Sequence, residues 1–467
     1  MMERGLNLNE IRYLLDHLAF LYRGPDLHDF LVTKETDISN RKQGQGVLLI
    51  PESNQKLDPE NIITIEQVPV LFPCSKETEW YSVEGTLVRF HHDLLKSAFY
   101  LLSGYQEYVN GEKDAHGRYP WKLSIQHQLG VTGTPVVNYY FEVILEAFGK
   151  LCKIIGLPFD RTVREAPVLF LSHDVDRIRK YSLRNLAYVG MQLLKIKPDP
   201  ESLGHTGLLK NLMQLLKGVL FHLKDPYWNF TELKELEHKN KISSTWFFLE
   251  KTSMENSRYH FRHKKIRLLI AELAHKGDEI GLHGTLESSE KPGILAAELQ
   301  RLENVCDSPV LGIRQHFLKY SNPATTKIQM ETRLLYDASL GFAEQIGFRN
   351  SYAWPFKLYD FKEQKSMDIW QLPLNAMDVT LLGYMQTPLP EFLEALHPVI
   401  QEVKKFKGVF SLLWHQCRLD EQAYPGIFQV YQSLLEEIMG QGFHSLTGEQ
   451  VVVSFKSAGA SGKSLSI

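Results

Sequence analysis

From about residue 166 the chain follows one rhythm. Short apolar runs alternate with stretches whose apolar residues fall three and four positions apart. The runs are 168–172 (VLFLS), 244–249 (STWFFL), 279–283 (EIGLH), 310–313 (VLGI), 369–374 (IWQLPL) and 409–414 (VFSLLW). Such runs, bounded by polar residues, predict buried strands. Between them, 231–240 and 264–276 carry helical spacing. Strands that alternate with helices predict parallel pairing, and about seven such units in one domain predict a distorted (β/α)7–8 barrel.

The first part of the chain reads differently. Residues 46–50 (GVLLI) and 87–92 (LVRFHH) predict strands, 93–108 and 136–155 predict helices, and 117–121 (GRYPW) predicts a loop. No group of titratable residues stands at catalytic spacing there, so 1–165 is expected to be a smaller α+β accessory domain before a barrel over 166–456. The segment 177–225 interrupts the rhythm. Between Arg177 and Lys224 it has nine Lys and Arg against Asp199 and Glu201, with leucine pairs at helical spacing. It is expected to be a helical basic insertion packed over the barrel mouth. A peripheral contact with an anionic membrane or polymer through 177–224 is the alternative. Residues 457–467 (SAGASGKSLSI) predict a disordered tail.

Composition narrows the class. A chain of 467 residues is too long for one ordinary core, which agrees with two domains. Hydrophobic content of 43% and charged content of 23% exclude a disordered or membrane-embedded chain. A net charge of −3 gives no overall pull toward nucleic acid. Cys74, Cys152, Cys306 and Cys417 lie far apart, which predicts free thiols in a reducing compartment. The first twenty residues lack a signal-peptide core, and no run of about 18 apolar residues occurs. A cytoplasmic location is expected. The sequence does not specify an oligomeric state.

The chemistry is expected where predicted strands end. In LFLSHDVD, Asp174 and Asp176 follow an apolar run and point the same way in an extended chain. One carboxylate can bind a cation while the other acts as a general base. A turn with a capping Asp would account for one of them only. In EIGLHGTLESS, His283 ends a strand, and Glu287 shares its face if the chain is helical after Gly284. In GIRQHF, Arg314 and His316 alternate on one side, and Arg314 can orient a carboxylate. In LLWHQ, His415 can donate a proton to a leaving group. Arg349, Asp378 and Trp414 are expected at the same mouth as substrate contacts, together with His316.

These residues, in this order, resemble the polysaccharide deacetylase superfamily, carbohydrate esterases with a distorted (β/α) barrel. The resemblance covers roughly 165–455. The N-terminal part is similar to the accessory domain of bacterial members, some linked to surface-polysaccharide loci. The resemblance implies a hydrolase that removes an N- or O-acetyl group from a carbohydrate, such as a surface-polysaccharide precursor. SHDVD looks like the first motif, with Asp174 as base and Asp176 as metal ligand. EIGLHG looks like the second, with His283 as ligand. IRQHF looks like a departed third, with Arg314 steering the base and a backbone N–H near His316 holding the oxyanion. LLWH looks like the last, with His415 as general acid. The implied cofactor is a divalent metal, zinc, on Asp176, His283 and Glu287. Glu287 stands where the family usually has a second His, and a carboxylate makes the site harder and less zinc-selective. That departure keeps two alternatives in view: a non-catalytic glycan-binding or scaffold member of the fold, and an amidohydrolase acting on a small C–N bond.

Overall fold

The computed structural model describes residues 4–39, 41, 44–162, 164–197, 204–252, 257 and 259–460. At its centre is a ten-stranded sheet. In chain order the strands are β1 (Val168–Val175), β2 (Ser244–Phe248), β3 (Glu279–Gly284), β4 (Gly312–Gln315), β5 (Tyr336–Asp337), β6 (Phe356–Asp360), β7 (Lys365–Gln371), β8 (Ala376–Met377), β9 (Val409–Leu413) and β10 (His444–Ser445). They lie in the order β6-β7-β5-β4-β3-β2-β1-β9-β8, with β10 paired to the start of β1. Every pairing is parallel except β6 with β7. Helices such as Phe230–Lys239, Lys264–His275 and Pro292–Cys306 make the crossovers that parallel neighbours need.

No hydrogen-bonded pair joins β6 to β8 among the described residues, so the expected barrel is not closed by a ladder. The end strand β8 has two residues, both paired to β9, and offers little to a further neighbour. The fold is mixed α/β with one large, mostly parallel sheet.

All eight residues of β1 are buried, as expected of a strand covered on both faces. Alternation divides them. Leu169, Leu171 and Val175 face one apolar core with Trp246 and Phe410. Val168 and Phe170 face another with Phe247 and Tyr336. The second core continues without a break into the N-terminal region, through residues such as Phe99, Tyr140 and Phe148. That region holds a four-stranded sheet, in the order Leu31–Val32, Val47–Leu49, Leu87–Phe90 and Tyr81–Glu84, against the helix Val136–Ile154.

Buried polar contacts also cross the seam. Arg349 makes a two-pronged pair with Glu107, with Nε–Oε1 and Nη2–Oε2 both 2.7 Å. Tyr13 donates to the Lys357 carbonyl at 2.7 Å, and Gln126 donates to that of Arg349 at 2.7 Å.

Local differences from the sequence reading have physical causes. The helix expected over 93–108 divides into Leu94–Leu102 and Tyr105–Asn110 at Gly104, whose φ of 78° is left-handed. The strand expected at 310–313 starts two residues later, at Gly312. The tail expected at 457–467 is helical at its start, since the last helix is Gly448–Ala460, and 461–467 lie outside the described residues.

The insertion is a helical hairpin of α1 (Leu183–Leu193) and α2 (Gly204–Leu220), and 198–203 lie outside the described residues. Tyr181, Val189, Leu208 and Leu215 pack its two arms together. Its base is closed by Asp225, whose carboxylate accepts from the backbone N–H groups of Lys180 and Tyr181, both at 2.9 Å.

Candidate active site

The C-terminal ends of β1, β3, β4, β8 and β9 bring seven titratable side chains together. Sheet register does the first part of this. Asp174 pairs with Phe247 of β2, and His283 pairs with Arg314 of β4. Asp174 is an even residue of β1, so it points to the same side as Phe170. The guanidinium of Arg314 lies 4.6 Å over the Phe247 ring and donates from Nη1 to Asp174 Oδ1 at 2.9 Å. Its Nε donates to the Ala338 carbonyl at 2.9 Å, which fixes the fork. Burial opposes the Asp174 charge, but His283 and Arg314 outweigh it and hold the carboxyl below its usual range. An ionised, oriented, buried carboxylate is a proton acceptor.

Asp176 lies one residue past the end of β1 and is partly exposed. Its Oδ1 is 3.3 Å from His283 Nε2, and its Oδ2 is 3.9 Å from His316 Nε2. Burial again opposes the charge, and His316, His283 and His415 push the pKa far down. His283 Nδ1 lies 2.8 Å from the Arg314 carbonyl, which accepts its proton and turns Nε2 toward the carboxylates. Burial works against a charged His283, yet Asp174 and Asp176 raise its pKa above the ordinary imidazole value. His316 follows β4 directly. The next two residues, Phe317 and Leu318, have φ of 57° and 55°, a sharp left-handed turn that swings the chain back after His316 presents its ring. At the rim the Phe317 ring stacks on His116 of the N-terminal region, with centroids 4.8 Å apart.

Opposite this group, His415 follows β9 and Asp378 follows β8. Asp378 Oδ1 accepts from His415 Nδ1 at 2.7 Å, and Oδ2 accepts from the His415 backbone N–H at 3.0 Å. Burial disfavours the imidazolium, but Asp378, then Asp176 and Asp174, raise its pKa to about 9. His415 therefore holds a proton at neutral pH, with Nε2 facing the mouth 3.8 Å from Asp176 Oδ2.

The donor set fits a divalent metal. One ligand atom from each of Asp176, His283 and His316 lies within 4.8 Å of the other two. Two imidazole nitrogens and a carboxylate oxygen suit zinc. Asp176 Oδ1 is buried and faces His283 Nε2 at 3.3 Å without a well-formed hydrogen bond, as two ligand atoms of one site would.

Four expected site residues stand elsewhere or in other company. Glu287 is outside the group. The chain turns after His283 instead of continuing as a helix, and Glu287 pairs with Lys291 at 3.1 Å near solvent. Gly284 ends the strand in close contact with the next one, since a Cβ there would lie 2.6 Å from Gln315 Oε1. Arg349 is buried in the seam with Glu107 rather than lining the mouth. Trp414 is wholly buried against Tyr431 and Phe392 and presents no face to a sugar. Asp378, expected as a substrate contact, is fully buried and holds His415. His316, also expected as a substrate contact, completes the group of three. The signal for it was its two-residue spacing from Arg314.

A family described only as of unknown function, DUF7033, matches residues 7–153. No curated protein matches the chain. Among solved structures, the chain is similar to one described as a candidate polysaccharide deacetylase from Mycobacterium smegmatis. That likeness has 15% identity over 65% of this chain and 96% of that one, with a TM-score of 0.41. It is similar to a PuuE allantoinase at 13% identity, over 62% and 89% of the two chains, with a TM-score of 0.40. A CE4 family pseudoenzyme from Bacillus anthracis is similar at 10% identity, over 62% and 66%, with a TM-score of 0.30. These likenesses are distant, and the functional reading rests on the geometry of the mouth.

Proposed function

We propose that this chain is a metal-dependent hydrolase of the polysaccharide deacetylase type, which removes an acetyl group from a carbohydrate. One observation carries the reading. A carboxylate held by Arg314 and an imidazole held by Asp378 flank a group of three side chains fit for a metal. Hydrolysis of an amide or ester needs a proton acceptor for water and a proton donor for the leaving group, with pKa values set apart.

Asp176, His283 and His316 would hold the metal, which when bound supplies Lewis-acid polarisation of water and of the acyl oxygen. Asp174 takes the proton from the attacking water at Oδ2, since Oδ1 is engaged by Arg314. Arg314 fixes the carboxylate and keeps it ionised. His415 gives its Nε2 proton to the departing amine or alkoxide, and Asp378 keeps the ring turned for that transfer. The non-catalytic alternative drew its support from Glu287 in a ligand position. In this reading His316 supplies the third ligand, and the site does not depend on Glu287.

The test needs no knowledge of the natural sugar. Metal content is measured in purified wild-type protein and in the Asp176→Ala, His283→Ala and His316→Ala variants, followed by acetate release from a panel of acetylated saccharides. The expected result is near-stoichiometric metal in the wild type, its loss in all three variants, and acetate release by the wild type alone. A wild-type protein that takes up no zinc, cobalt or manganese would overturn the metallo-hydrolase reading. Metal without acetate release from any saccharide would move the substrate away from acetylated sugars.

A further inference from the structure

The helical hairpin leaves an apolar surface uncovered. On α2 the residues Leu208, Leu212, Leu215 and Val219 face α1 and Tyr181. The neighbouring stripe, one position further round the helix, is also apolar. It comprises Leu209, Met213, Leu216 and Leu220, and all four are exposed, Leu220 at 63%. Phe221 extends the stripe at 71% exposure. Leu183 at the start of α1 and Leu194 just past its end are exposed at more than two thirds. A surface helix that needed only to pack on its partner would carry polar residues at these positions.

Charge says what covers the stripe. Lys210 and Lys217 stand seven residues apart on α2, each directly after a leucine of the stripe, and both are exposed. The whole segment from Arg177 to Lys224 has nine basic residues against two acidic, in a chain whose net charge is −3. An apolar stripe flanked by lysines matches the boundary layer of an anionic bilayer. Acyl chains take the leucines, and headgroup phosphates take the ammonium groups. No helix among the described residues is long and apolar enough to cross a membrane, so the contact is with the surface.

The hairpin also springs from the rim of the mouth. Its first strut follows Asp176 directly, and Lys180 binds Asp420 at 2.5 Å in the loop after His415. Gln416, the residue after His415, donates to the carbonyls of Arg177 and Tyr227 in the two struts.

We propose that α1 and α2 dock the protein on an anionic lipid surface, the exposed α2 stripe entering the acyl boundary and Lys210 and Lys217 meeting the headgroups. The proposal does not depend on the hydrolase reading, because binding to lipid alone tests it.

The experiment is co-sedimentation of the full chain with phosphatidylglycerol vesicles and with phosphatidylcholine vesicles, alongside its sedimentation behaviour without lipid. Wild-type protein is expected on phosphatidylglycerol and not on phosphatidylcholine, with binding that weakens as salt rises. Leu209→Ser/Leu216→Ser/Leu220→Ser should abolish it. Lys210→Gln/Lys217→Gln, which leaves the apolar stripe intact, should weaken it by about tenfold or more. Unaltered circular dichroism and melting temperature establish that the variants fold. Wild-type protein that stays in the supernatant with both lipids overturns the proposal, as does equal binding to both. A wild-type dimer without lipid that the serine variant turns into a monomer, with no vesicle binding, assigns the stripe to a second copy of the chain and overturns it too.

Discussion

On one face of β1, His173 lies with both ring nitrogens against acceptors, the Trp414 carbonyl at 2.7 Å and Glu237 Oε1 at 2.8 Å. Glu237 in turn accepts from Lys234, Ser244 and Tyr431, so each of its oxygens has two partners. On the other face, one residue later, Asp174 belongs to a group that is not closed on itself. Asp176 Oδ1 and Arg314 Nη2 are buried without hydrogen-bond partners. Both faces bury charge, and both use side chains from the same short segment, SHDVD. A buried polar group left without a partner costs stability, so the fully satisfied His173–Glu237 pair reads as structure, although Asp278 Oδ2 beyond Lys234 has no partner, and the group around Asp174 and Asp176 reads as capacity for a ligand or a reaction. The same contrast separates Glu237 from Asp174, although both are ionised, buried carboxylates.

The comparison can be broken most sharply at Asp174. Asp174→Asn keeps the shape of the side chain and removes the proton acceptor. Acetate release is expected to fall by about 10²–10⁴-fold with metal content close to wild type, while the protein still folds at a lowered melting temperature because Arg314 loses its buried counter-charge. Near-normal turnover would take the base away from the open face.

The closed face should respond in the opposite way. Burial would raise the Glu237 pKa, but His173 and Lys234 overcome it and hold the group at about 2. A carboxylate depressed in the fold stabilises above its unfolded value, and that contribution disappears as pH falls through its folded value. Glu237→Gln should therefore lose about 3 kcal/mol near neutral pH. It should also flatten the fall in melting temperature as the pH drops from 4.5 toward 2. Turnover per folded molecule should hold. A loss of turnover with stability intact would erase the distinction between the faces.

Two smaller effects sharpen the boundary of the open face. Asp378→Asn should lower turnover by about 10–100-fold through misorientation of His415, with metal content unchanged. Glu287→Gln should leave metal content unaltered and change stability by no more than about 0.5 kcal/mol, because its pair with Lys291 is near solvent. Metal lost from this last variant would return Glu287 to the ligand set.

Much of this arrangement was legible before the structure, for a local reason. Side chains alternate along extended chain, so DVD predicted Asp174 and Asp176, at the end of β1 and just past it, on one side, and the strand ends near His283, Arg314 and His415 could be counted from apolar runs. The misplacements were of two kinds. Glu287 depended on the path of the chain beyond Gly284, where a tight turn replaced the helix that was assumed. Arg349, Asp378 and Trp414 depended on partners remote in sequence. The partner of Arg349 is 242 residues away, and that of Asp378 is 37. Two-residue strands such as β5 and β8 carry no periodic signal at all, which is why the strand count read from apolar runs fell short of the ten found.

The Arg349–Glu107 pair bears on how the chain can be divided. A fragment starting at residue 166 would keep every member of the mouth, yet it would leave the buried Arg349 guanidinium without Glu107 and Tyr352 without His17 and Phe141. Such a fragment would have to hydrate that surface or aggregate through it. The N-terminal third is in that sense a covalently attached chaperone for the other two thirds, and expression of the two parts together as separate chains is the way to divide the protein without losing either.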